Sequence, residues 1–160
     1  MSTFVSSARV RVFTALAFAI LAGCSSPPKP PAPTVVAGSI QAAPQLNPSV
    51  NKRPSPLQLR IYELKAAAAF GSADFMSLYQ ADQTALSADF VAREEFVLQP
   101  GETRAYNKTL AAETRFIGVV GVYRDLERAT WRTVVAVQPN KAQTLTIRAG
   151  ELAVSASVAP

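Results

Sequence analysis

The sequence predicts a mainly β fold: a two-sheet sandwich of about eight short strands with a short helical insertion. Three observations carry that expectation. Short apolar and β-branched runs recur at the spacing of sandwich strands, separated by turns containing Pro, Gly or Asn. One segment, about 66–86, repeats its apolar residues at helical spacing instead. Apolar residues make up 49% of the 160 and charged residues 17%, which is enough to fill a core and too apolar for a disordered chain.

The chain begins with a segment of another kind. Arg9 and Arg11, with no acid before them, precede the apolar run Val12–Ala22, "VFTALAFAILA". That run is short of the roughly 20 residues that span a bilayer, and it fits the apolar core of a secretory signal. Leu21-Ala22-Gly23-Cys24 resembles the lipobox of bacterial lipoproteins: a large apolar residue, two small ones, then cysteine. An ordinary signal peptide with an incidental cysteine is the alternative. The lipobox implies a signal peptide over residues 1–23. It also implies diacylglycerol on Cys24 and an acyl chain such as palmitate on the new amine. Two or more chains hold stably where one binds marginally, because each buried CH₂ contributes about 0.8 kcal/mol. Ser25 follows the cysteine where Asp would mark inner-membrane retention, so the same resemblance implies the outer membrane.

Cleavage before Cys24 removes two of the 16 basic residues and none of the 11 acidic ones, so the formal charge falls from +5 to +3. That balance hints at acidic surfaces or headgroups. It does not suggest nucleic acid, since no basic patch interleaves with aromatics.

Residues 24–34 form the lipidated cysteine and its tether. "SSPPKPPAPT", Ser25–Thr34, is rich in proline, which fixes φ and pushes its predecessor toward extended geometry. A polyproline II spacer of this length reaches roughly 30 Å. Residues 35–160 are the folded domain. Val35–Leu46 reads as a first strand interrupted at Pro44. "NPSVNKRPSP", Asn47–Pro56, reads as an exposed loop. In "LQLRIYEL", Leu57, Leu59 and Ile61 alternate with Gln58, Arg60 and Tyr62, a half-buried strand with the second set outward.

In the helical part, Phe75, Leu78 and Tyr79 share a face, Ser72 is placed to cap it, and Asp74 sits in its first turn. A membrane-active helix would need a basic face, which this segment lacks. Strands resume at Phe90–Leu98, with a turn at "QPGE", and continue at Arg104–Leu110. Arg115–Tyr123, "RFIGVVGVY", is apolar enough to be central and buried on both faces, with Gly118 and Gly121 marking close approach of another element. Thr133–Val137, Gln143–Arg148 and Leu152–Val158 complete the set.

The residues offer little chemistry. There is no histidine and one cysteine, which excludes an intrachain disulfide, a Cys/His metal cluster and a His-based dyad. No nucleophile elbow, phosphate loop or dinucleotide fingerprint is present. Paired carboxylates of the glycosidase kind remain open, although most acids fall in turns, helix starts or solvent faces. "VYRDLERATWR", Val122–Arg132, is the most distinctive charged cluster. It reads either as an anion site built by Arg124, Arg128 and Arg132, or as a turn where Asp125 and Glu127 neutralise those arginines and Trp131 packs on the core.

Several segments occur in a recognisable order: "RIYELK" (Arg60–Lys65), "FGSADFMSLY" (Phe70–Tyr79), "PGE" (Pro100–Glu102), "FIGVVGVYRD" (Phe116–Asp125) and "WR" (Trp131–Arg132). Together with the lipobox they resemble the outer-membrane lipoprotein of the type VI secretion system, the TssJ (SciN) family. The resemblance spans about Leu57–Val158. Gly121 stands where alanine is usual, Tyr123 where phenylalanine is usual, and Ser87 where glycine is frequent.

The resemblance implies a transthyretin-like sandwich, no catalysis, and no cofactor beyond the lipid on Cys24. It also implies attachment to the periplasmic face of the outer membrane. The implied partner is the periplasmic C-terminal domain of the inner-membrane protein TssM and, through it, TssL. No small-molecule substrate is implied. The family's first inter-strand loop grips TssM. Here that loop supplies Asn47, Ser49, Val50, Asn51, Lys52 and Arg53, with the last three at its tip. Prolines lower the entropy lost when such a loop docks, and its donors and positive charge suit a polar or acidic partner. The rival readings are a binding lipoprotein or pilotin of another envelope complex, and a periplasmic hydrolase using two carboxylates.

Overall fold

The computed structural model describes residues 29–160; the expected signal peptide, Cys24 and the tether as far as residue 28 lie outside them. Within that range the strands are β1 (Val35–Ala42), β2 (Leu57–Leu64), β3 (Phe90–Leu98), β4 (Thr103–Thr109), β5 (Phe116–Val122), β6 (Arg132–Ala136), β7 (Ala142–Ala149) and β8 (Val154–Ala159). Helices α1 (Ala68–Ser72) and α2 (Phe75–Leu86) and a 3₁₀ turn, Ser87–Asp89, form the insertion between β2 and β3. One sheet runs β4-β1-β7-β8 and the other β3-β2-β5-β6. This is the expected sandwich. All named pairs are antiparallel except β1 with β7, which is parallel.

The alternation in β2 sends Leu57, Leu59 and Ile61 into the core between the sheets, where Val36, Ile40, Val119 and Leu145 meet them. The expectation that Arg60 and Tyr62 face solvent is not met, because both are buried. The helical insertion lies over that face, and Tyr62, Leu64, Phe70, Leu78, Leu86 and Val120 form a second apolar cluster beneath it. The buried Arg60 guanidinium is held from two of its nitrogens. It pairs with Glu95 at 2.8 Å, donates to the Leu78 and Tyr79 carbonyls, and lies over the Tyr79 ring. Those carbonyls become available because α2 kinks at Ala81: the Gln83 N–H turns to the Asp82 carboxylate instead of the helix ladder.

The cap differs from expectation too. Asp74, not Ser72, caps α2, accepting from the Ser77 N–H at 2.9 Å. Ser72 closes α1 by donating to the Ala68 and Ala69 carbonyls, and the extended backbone at Ala73 separates the two helices.

Both marked glycines of β5 are close approaches. A Cβ on Gly118 would lie 2.7 Å from the Phe70 ring, and one on Gly121 would lie 2.8 Å from Tyr123. Ser87, which stands where the family often has glycine, has φ +48°, a conformation glycine adopts more easily.

The strand registers give the sandwich two distinct ends. β1 begins beside Thr109 and Ala142 and finishes beside Thr103 and Ala149. The chain therefore enters at the end that carries loops 110–115 and 137–141. Thr34 is fixed there, its carbonyl accepting from Leu110 N–H and its hydroxyl accepting from Asn140 N–H. Connections 43–56, 99–102, 123–131 and 150–153 gather at the opposite end.

One polar network crosses between the sheets at the entry end. Glu63, on the core face of β2, accepts from Ala111 N–H at 2.9 Å and Thr114 Oγ1 at 2.7 Å, and it pairs with Lys108 of β4 at 2.9 Å. Lys108 also reaches Glu94 of β3 at 2.6 Å. Burial pushes the Glu63 carboxyl up, but Lys108, the Thr114 hydroxyl and the Ala111 N–H outweigh it and hold the carboxyl below its ordinary value. A depressed carboxyl contributes stability that is fully present above the unfolded value of 4.5 and is lost as pH falls through the lower folded value. Glu63→Gln is expected to cost about 2 kcal/mol at neutral pH in urea unfolding. It should also flatten the loss of stability below pH 4.5; an unchanged acid limb would remove Glu63 from that role.

Candidate functional site

The connection between β1 and β2 is long, yet it is folded on itself. Pro44 lacks an N–H, and the ladder of β1 ends two residues before it. Leu46 is fully buried and anchors the loop in the core. Asn47 follows with φ +46°, a left-handed conformation that asparagine tolerates better than most residues. It is 3% exposed, and both polar atoms of its amide find backbone partners inside the protein. Asn47 Nδ2 donates to the Pro56 carbonyl at 2.8 Å, and Oδ1 accepts from the Arg124 N–H at 2.9 Å. Its backbone N–H donates to the Glu151 carbonyl at 3.0 Å. One residue thus fastens both ends of its own loop to the β5–β6 and β7–β8 connections.

Ser49 performs the same service for the tip. Its N–H donates to the Arg53 carbonyl, its carbonyl accepts from Lys52 N–H, each at 2.8 Å, and its hydroxyl accepts from Arg53 N–H at 3.2 Å. Lys52 takes φ +59° to close the turn. Val50, Asn51, Lys52, Arg53 and Pro54 are left exposed, and Val50 has no neighbour covering it. Of the six residues expected to contact a partner, the structure places four in solvent and uses Asn47 and Ser49 to shape the loop that presents them.

A cleft of about 690 Å³ opens beside this loop. Pro48, Ser49, Val50 and Lys52 form part of its wall, Arg124–Arg128 another, and Glu151 and Leu152 a third. The β5–β6 connection is the part of this surface that sequence reasoning missed. Its charged cluster was legible, but its position beside Asn47 follows only from the strand order. The three-arginine anion site is not formed. Arg132 points to the helical insertion, donating to the Phe70 and Ala73 carbonyls, and Arg128 is held by Asp125. Trp131 packs against both apolar clusters, as the turn reading expects. The Arg128 hydrogen bond holds the Asp125 carboxyl below the usual carboxylate range. Glu127 forms no ion pair among the described residues, and neither do Lys52, Arg53, Arg124 and Glu151.

This arrangement suits recognition better than reaction. Asp125, Glu127 and Glu151 all line the cleft. Asp125 is neutralised by its arginine, and Glu127 and Glu151 are exposed, without the burial that turns a carboxyl into a general acid. Among the described residues, no group of three or more His, Cys, Asp or Glu could hold a metal ion, and no helix is long and apolar enough to cross a membrane.

Comparison with known proteins places the chain in a family. A family model described as "Type VI secretion lipoprotein, VasD, EvfM, TssJ" matches residues 34–152. Among solved structures, the T6SS lipoprotein TssJ1 from Pseudomonas aeruginosa is 44% identical, with 80% of this chain and 98% of that one covered and a TM-score of 0.77. Serratia marcescens Lip, described as a membrane-bound component of the type VI secretion system, is 25% identical over 77% of this chain and 96% of that one, with a TM-score of 0.70. A chain in the structure described as the T6SS protein TssM C-terminal domain from EAEC is 27% identical over 76% of this chain and 99% of that one, with a TM-score of 0.61. None of the curated proteins compared with the chain matches it.

Asn47→Ala removes two side-chain hydrogen bonds and leaves alanine in a left-handed conformation, so it should destabilise the protein by about 2–3 kcal/mol. Amide exchange in 48–56 and 124–128 should accelerate together. Acceleration confined to one of the two segments would contradict the joint that Asn47 is said to make.

Proposed function

We propose a function from the premise that the chain belongs to the type VI secretion lipoprotein family. Cys24 carries the lipid and sits in the inner leaflet of the outer membrane. The proline-rich tether spaces the sandwich from that membrane. The loop Asn47–Pro56 binds the periplasmic C-terminal domain of TssM, through which TssL is joined. The role is a non-catalytic coupling of the outer membrane to a partner anchored in the inner one.

The observation that carries this reading is the separation of the two ends. The tether reaches the domain at Thr34, and the presented loop tip lies at the opposite end of the sandwich, about 26 Å away for an eight-residue strand. A domain arranged this way turns its binding loop away from its point of attachment. The loop is also closed by its own hydrogen bonds before any partner arrives, which reduces the ordering cost of docking. Acyl chains at about 0.8 kcal/mol per buried CH₂ make release from the bilayer costly, so strain falls on the protein–protein contact.

Two measurements test the reading. Cys24→Ser should leave the domain folded and move it from the outer-membrane fraction to the soluble one; continued fractionation with membrane would refute the anchor. With full-length lipoprotein immobilised from detergent, replacing Asn51-Lys52-Arg53 by Gly-Ser-Gly should weaken binding of the TssM periplasmic domain at least tenfold, without a fall in melting temperature. Unaltered affinity would put the interface elsewhere.

A further inference from the structure

We infer that Glu63 and Thr34 form a clasp that fixes where the tether leaves the fold, and that the ionised Glu63 carboxylate holds this clasp shut. Glu63 is thereby a positioning residue for the anchor. The inference rests on the anchoring role proposed above and requires nothing of the partner.

Exposure changes abruptly at one residue. Lys29–Pro33 are exposed, whereas Thr34 is 4% exposed. Two loops hold Thr34 at once. Its carbonyl accepts from the Leu110 N–H at 2.9 Å, and its hydroxyl accepts from the Asn140 N–H at 2.8 Å. The next residue, Val35, donates its N–H to the Lys141 carbonyl and opens β1. Loop 110–115 can aim the Leu110 amide only while its own backbone groups are satisfied. Glu63 satisfies them. Its Oε2 accepts from both the Ala111 N–H and the Thr114 hydroxyl, and its Oε1 pairs with Lys108. Leu110 and Ala111 are neighbours, so fixing the second amide directs the first at Thr34.

A clasp that opens must leave no charge stranded in a buried place. Lys108 meets that condition, because it already reaches Glu94, whose side chain is 36% exposed. When Glu63 takes a proton from water, Lys108 keeps Glu94. Both loop bonds end on one oxygen, so a single protonation weakens them together. The other titratable or charged side chains nearby are Tyr106 of β4, the surface pair Lys65–Glu113, and Arg115, which donates to the Ala112 and Thr114 carbonyls. None of them can stand in for the carboxylate toward Ala111 and Thr114. Burial raises the Glu63 carboxyl, and Lys108, the Thr114 hydroxyl and the Ala111 N–H lower it by more, so the clasp is shut at neutral pH and opens below 4.5.

The amides that make the clasp report on it directly. Their protection against hydrogen exchange, normalised to the intrinsic rate at each pH, is followed by NMR in the full-length lipoprotein in detergent. Glu63→Gln at neutral pH should lower the protection of Leu110, Ala111 and Asn140 together, by about tenfold or more, and leave the Arg124 amide at the opposite end unchanged. Glu94→Gln, which spares the bonds of Glu63, should leave all four as they are. In the unmutated protein, acidification should release the same three amides before Arg124, and Glu63→Gln should abolish that step. If Glu63→Gln fails to fold, the acid titration of the unmutated protein decides: release at the tether end first supports the clasp, and simultaneous release at both ends overturns it. Loss at Ala111 with Leu110 and Asn140 still protected also overturns it, since Glu63 would then serve its loop alone. Each of these failures leaves the proposed function standing, because the anchor is tested separately by the fractionation of Cys24→Ser.

Discussion

Everything at the loop-bearing end of the sandwich depends on the amide of Asn47. A loop of this length between two strands would ordinarily be mobile, since its backbone groups can all turn to water. Here the amide is taken out of water, and each of its polar groups meets a backbone partner on a different segment. Leaving either partner unsatisfied in a buried place is expensive, so the arrangement is strongly preferred over alternatives. The left-handed backbone at the same residue turns the chain so that Pro48 onward runs across the end of the sandwich. Lock and direction are thus set by one residue, and the exposed tip inherits both.

The other end is organised by a different constraint. Placing helices on the outer face of the second sheet creates an apolar layer in addition to the one between the sheets. Strands β2 and β5 therefore lie between two cores, which accounts for the glycine at 118 facing the Phe70 ring. It also accounts for an arginine buried in a strand: Arg60 supplies the donors that kinked α2 needs and the cation that Glu95 balances. Satisfying a break in the helix ladder with a strand residue fixes the insertion in register against the sheet.

How much of this could be read from the sequence depended on whether the signal was local. Alternation in Leu57–Leu64 and the apolar run of Phe116–Val122 are local, and they give the strands and their inner faces. Proline and asparagine content marked Asn47–Pro56 as a loop. The burial of Arg60 and Tyr62 was hidden because it depends on what covers them, and the cover comes from residues that pack there only after folding. Ser72 and Asp74 are both good caps by composition, and only the extended backbone at Ala73 decides between them. Asn47 looked like one more polar loop residue, since nothing in its neighbourhood distinguishes an exposed amide from a buried one. The cluster Arg124–Arg128 was conspicuous, but its neighbours lie on β1–β2 and β7–β8, and pairwise distances of that kind are absent from a linear pattern.

The strand that separates the tether from the binding loop has a mechanical consequence. Between Thr34 and Asn47, eight of the twelve residues belong to β1. For load that enters through the loop Asn47–Pro56, tension between lipid and partner would run along the covalent backbone of that one strand, as along a taut cord. The hydrogen bonds of β4 and β7 would grip the cord from both sides without themselves lying in series with the pull. A sandwich strung this way has no need to resist being torn open, because its fold is wrapped around the rope and is not a link in it.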